Sequence, residues 1–62
     1  MNKAYIENYY RQMILELKTA RTDQEHNQIL KALQLISVTA ADLYGVEYAD
    51  SLRERFYSPK EN

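Results

Sequence analysis

The sequence predicts an all-α protein, an antiparallel helical hairpin with a short third helix, associating with further copies into a helical bundle. Three observations predict it. Apolar residues recur at alternating steps of four and three along most of the chain, the period of a helix with one buried stripe. One Gly and one Pro leave little to interrupt long helices. The third is size: 62 residues form at most one domain, 1–62, and such a chain buries only about 60% of its unfolded surface. With no Cys and one His, disulfides and metal cannot supplement the core, which leaves association with another chain. A homo-oligomer, most simply a homodimer, is expected.

The first helix is predicted from about residue 3 to 20. Asn2 is its N-cap, and Ile6, Tyr10, Met13, Leu17 and Ala20 form its stripe, widened by Tyr9 and Ile14. Glu7 precedes Arg11 by four residues, the favourable order for a surface pair. Thr22, Asp23, Gln24 and Glu25 then read as a capping box. The Thr22 hydroxyl accepts from the Glu25 amide, and the Glu25 carboxylate reaches back to the Thr22 amide.

A second helix, about 23 to 44, carries Ile29, Leu33, Ile36, Ala40 and Leu43 in the same rhythm. No charge falls between Lys31 and Asp42. A helix apolar around that much of its circumference is expected at the centre, contacted on more than one side. Gly45 reads as a left-handed cap, with Val46 turned back toward Ala41 in a Schellman ending. The stripe then restarts out of phase as Tyr48, Leu52 and Phe56, which predicts a third helix over about 47–57. Ser58 and Pro59 should stop it, leaving a frayed tail over 58–62. Ile6, Tyr10, Met13, Leu17, Ile29, Leu33, Ile36, Ala40, Leu43, Leu52 and Phe56 are accordingly assigned to core or dimer packing.

Composition excludes several function classes. Eight Lys and Arg against nine Asp and Glu give a net charge of −1, with both signs dispersed, so no basic field recruits nucleic acid or anionic lipid. The longest uncharged stretch, Ala32 to Ala41, is too short for a bilayer. The N-terminus is charged at Lys3 and again at Glu7, before a signal-type apolar run could form. A cytoplasmic protein without membrane contact is expected.

No residue set points to catalysis, so the chain is read as a non-enzyme without cofactor or metal. His26 is the only imidazole, and spacing supplies it with neither a nucleophile nor a carboxylate. Asp23 and Glu25 do not share its face at the spacing that helical metal ligands use. Ser37, Ser51 and Ser58 sit in no strand-to-helix elbow, and a single Gly cannot build a phosphate loop.

Residues 39 to 53 offer an alternative. Ala41 lies four before the turn Gly45 and Val46 follows it, which resembles the helix-turn-helix pattern of bacterial repressors over about twenty residues. The resemblance implies a DNA-binding module turning at Gly45. The chain departs from it at Ser51, where the pattern wants a buried aliphatic, and the reading helix would open with Glu47 and Asp50 toward the phosphates.

Several apolar side chains fall outside the stripes. At about 100° per residue, Leu15 lies opposite the first stripe, Leu35 and Val38 lie well outside the second, and Tyr5 stands apart from its neighbours. Six Tyr residues add amphipathic surface. Tyr10 and Tyr44 are read as core margin. Tyr5, Leu15, Leu35, Val38, Tyr48 and Tyr57 are read as partner-binding. These features predict a small regulatory protein that binds another protein stoichiometrically, as inhibitor or adaptor, of the kind bacteria and phages make. DNA binding through the Gly45 turn is the alternative, and a structural subunit of a larger assembly is a second.

Overall fold

A computed structural model describes residues 1 to 57, with Tyr57 described by its backbone alone. The expected stop at Ser58 and Pro59, the tail over 58–62 and the Tyr57 side chain lie outside the described residues. The described chain is all helical. Helix α1 spans Lys3–Thr19, α2 spans Asp23–Tyr44 and α3 spans Val46–Leu52, continuing as a single π-helical turn over Arg53–Tyr57.

Local chemistry sets the ends. Asn2 Oδ1 accepts from the Tyr5 amide at 2.9 Å and so satisfies one of the open amides of α1. Ala20 closes α1 in an extended conformation, one residue earlier than the apolar stripe suggests. At the start of α2 the Thr22 hydroxyl accepts from the Glu25 amide at 3.1 Å as expected. The reciprocal bond differs: Glu25 Oε1 accepts from the Arg21 amide at 3.0 Å, one residue beyond the capping-box partner.

Gly45 separates α2 from α3 alone. Its amide donates to the Ala41 carbonyl at 2.9 Å, and its own carbonyl accepts from Ala49 at 3.2 Å. With φ 101° and ψ 156° it lies outside the left-handed helical well, so the Schellman ending expected here is corrected. The extended ψ redirects the chain at once, which starts α3 at Val46 rather than 47 and leaves Val46 66% exposed.

The hairpin is antiparallel. The Tyr44 hydroxyl, in the last turn of α2, donates to the Met1 carbonyl at 3.3 Å, and Lys3 Nζ lies 5.1 and 5.0 Å from the Tyr44 and Tyr48 ring centres. These cation–π contacts tie the start of α1 to the α2–α3 corner. As the uncharged middle of the sequence predicts, α2 is central and packs against both α1 and α3.

The core forms within this one chain, from Ile6, Tyr10 and Ile14 of α1, Leu33, Ile36 and Ala40 of α2, and Leu52 of α3. Met13, Leu17, Ile29 and Phe56 are half-buried against it. Two expectations are corrected. Tyr10 is no margin residue: it is 2% exposed, with the Phe56 ring 6.0 Å away. Leu43 keeps the phase of the α2 stripe but is 52% exposed. It lies one residue from the end of α2, where the stripe has no apolar neighbour left to meet.

Glu7 is also drawn elsewhere than its spacing suggests. It accepts from the Tyr48 hydroxyl at 3.0 Å and pairs with Arg55 at 3.5 Å, while Arg11 donates to Asn8 Oδ1 instead. Burial first, then the hydrogen bond and charge of Glu7, hold the Tyr48 phenol above its ordinary 10.0, against the pull of Arg55. A raised value means that the folded state prefers the neutral phenol. That contribution is complete below pH 10 and is lost as pH climbs through the higher folded-state value. Tyr48→Phe is therefore expected to flatten the loss of helicity above pH 10; an unchanged alkaline profile would show that Tyr48 does not anchor α3.

Candidate protein-docking surface

Helix α2 forms a ridge with an open groove on either side. The first groove, between α1 and α2, is a shallow space of about 190 Å³ lined by Met1, Tyr5, Tyr9, Ala32, Leu35, Ile36 and Thr39. No charged side chain lines it. Asn2 holds the first turn of α1 in place, and Tyr5 and Tyr9, one turn apart, stack with ring centres 6.3 Å apart to form its α1 wall. The Thr39 hydroxyl, which would otherwise be a polar spot on the α2 wall, donates to the Leu35 carbonyl at 3.0 Å. The side chains that line the groove are thus uncharged and mostly apolar or aromatic, with Tyr5 and the 69% exposed Leu35 projecting beside it.

The second groove, between α2 and α3, is larger, about 530 Å³, and has charged side chains in its lining. Val38, Ala41, Val46 and Ala49 line it together with Gln34, Ser37, Asp50 and Arg53.

The residues read from sequence as partner-binding are therefore distributed rather than united. Tyr5 and Leu35 meet in the first groove, and Val38 lines the second. Leu15 is exposed on α1 but lines neither. Tyr48 is half-buried and engaged with Glu7 inside its own chain. Met1, Val46 and Leu43 are exposed apolar residues that the sequence reading did not assign to this surface. Val46 could not have been found, because after a left-handed Gly an apolar residue commonly packs back on the helix, and here the extended ψ of Gly45 leaves it exposed. Nor could Leu43, since its phase is that of a core residue.

The remaining candidates are placed as follows. His26 is exposed in the first turn of α2. No three His, Cys, Asp or Glu side chains among the described residues lie close enough together to hold a metal ion. At the α2–α3 corner Glu47 and Asp50 are exposed, so the face that a DNA-reading helix would present carries negative charge, on a helix of only seven residues. No helix among the described residues is long and apolar enough to cross a membrane.

Fold and surface define a three-helix protein whose groove between α1 and α2, lined by uncharged side chains, stays open in the single chain. No family model, characterised protein or solved structure matches the chain.

Proposed function

We propose that this chain is a small regulatory protein that acts by stoichiometric binding to another protein, and that it does so as a homodimer in the cytoplasm. The observation that carries the reading is the uncharged groove between α1 and α2, walled by the stacked Tyr5 and Tyr9 and by Leu35. Rigid aromatic side chains beside an apolar cleft supply contact area at little entropic cost, the composition typical of interface anchors. A projecting apolar side chain or helix ridge of the partner fits such a groove; a charged segment would be desolvated there without compensation.

Tyr5→Glu places a charge at the groove edge on a side chain that is already exposed, so helicity should be retained. Wild-type protein immobilised in extract of its own source cells is expected to retain a partner in a complex of fixed stoichiometry by mass, and Tyr5→Glu to retain roughly tenfold less or worse. Recovery of the same proteins in the same amounts by both would overturn the reading.

A further inference from the structure

We propose that the outer face of α2 is a self-complementary dimer interface, on which a second copy packs antiparallel about a two-fold axis between Ile36 and Ser37. The proposal deepens the homodimer reading above by assigning it a surface and a register.

On the exposed face of α2, flanked by the two grooves, lie Lys31, Leu35, Val38 and Asp42, all four exposed. At about 100° per residue they fall within an arc of roughly 60°, nearly opposite the buried line of Ile29, Leu33, Ile36 and Ala40. Gln28 and Gly45 extend the stripe, so that its positions step by 3, 4, 3, 4 and 3. That series reads the same in both directions. In an antiparallel pair centred between Ile36 and Ser37, Leu35 falls level with Val38 of the second copy, and Lys31 falls level with Asp42. An isologous interface requires such a match of a patch with itself, and steps of three and four suit near-parallel helix packing.

Charge identifies the occupant. Among the described residues neither Lys31 nor Asp42 forms an ion pair or side-chain hydrogen bond within the chain. Asp42 also lies in the last turn of α2, which holds no basic residue, so its charge opposes the negative end of the helix dipole. A Lys31 from a second copy, delivered level with it, offsets both. The two-fold supplies that pair twice, bracketing the apolar centre of Leu35 and Val38. A foreign protein would have to reproduce the spacing by chance, whereas a second copy carries it by construction. The contact is one helix deep and far smaller than the roughly 20–30 residues per side of a standard interface, which places the dimer in the weak, reversible class.

Carbodiimide coupling, which joins an amine directly to a carboxylate, tests the register on the unaltered protein. Lys31 and Asp42 stand about 16 Å apart along one rigid helix and cannot be joined within a chain. A dimer band whose digest contains a Lys31–Asp42 linkage is the expected result. Charge reversal gives the second reading. Lys31→Asp and Asp42→Lys singly should each weaken dimerisation roughly tenfold or more, and the double reversal should restore it. Absence of the linkage, together with reversals that leave the dimer unchanged, would overturn the proposal, as would a wild-type protein that stays monomeric. None of these variants touches Tyr5, so loss of the dimer with partner capture intact would separate the failure of this interface from that of the groove.

Discussion

Leu52→Ala is expected to remove about 2–5 kcal/mol of stability, the range for truncating a fully enclosed leucine. Leu52 has 0% of its surface exposed and is the one residue of α3 in the fully buried core. Its removal leaves a cavity in the core it shares with α1 and α2, which two long helices can collapse around only by giving up their own contact. At roughly 0.05–0.15 kcal/mol per residue, a chain of this length has about 3–9 kcal/mol in total, so the substitution should consume much of it. Chemical denaturation followed by circular dichroism should show the midpoint falling sharply. A shift below about 1 kcal/mol would mean that α3 is not part of the cooperative unit and that the hairpin stands without it.

The second large effect is expected at Gly45. A Cβ built there meets nothing within 4 Å, so a side chain would not be rejected by crowding. The penalty lies in the backbone: φ 101° with ψ 156° is a combination essentially confined to glycine, and imposing it on an L-residue costs about 1–3 kcal/mol. Gly45→Ala should therefore destabilise by that amount. Replacement by D-alanine, practicable by synthesis at 62 residues, should instead stabilise by about 0.4–1 kcal/mol, because the mirror-image residue is at ease there and loses less freedom on folding. Equal effects from both enantiomers would place the cause in the side chain and contradict the backbone account.

Much of the fold was legible in the sequence because its signals were local. Asn2 and the Thr22–Glu25 pair mark helix starts by hydrogen bonds spanning three residues, and Gly45 marks the corner by a conformation that other residues avoid. The central place of α2 followed from its uncharged middle. What escaped was decided by distant residues. Glu7 leaves Arg11 for Tyr48 and Arg55, forty-one and forty-eight positions on, and nothing in the spacing of α1 announces them. Tyr10 passes from margin to core because the Phe56 ring, forty-six positions on, packs against it. Leu43 fails in the opposite sense, since periodicity continues to the end of α2 while its apolar neighbours do not.

The candidate surface was legible residue by residue but not as a shape. Helical phase identified Tyr5, Leu15, Leu35 and Val38 as outward-facing, and all four are exposed. Phase could not show that Tyr5 and Leu35, thirty positions apart, wall one groove while Leu15 stands by itself. That grouping depends on the angle between helices, which the tyrosines and Lys3 at the α2–α3 corner help to fix.

The central claim is that the chain works as a homodimer joined through the exposed face of α2 that carries Lys31, Leu35, Val38 and Asp42. Sedimentation of the purified protein over a dilution series from millimolar to low micromolar, with circular dichroism on the same samples, tests it most directly. The weight-average mass is predicted to fall from about twice 7.4 kDa to 7.4 kDa on dilution while helicity stays constant, because the core is closed within one chain. A single species of 7.4 kDa at every concentration would contradict the claim.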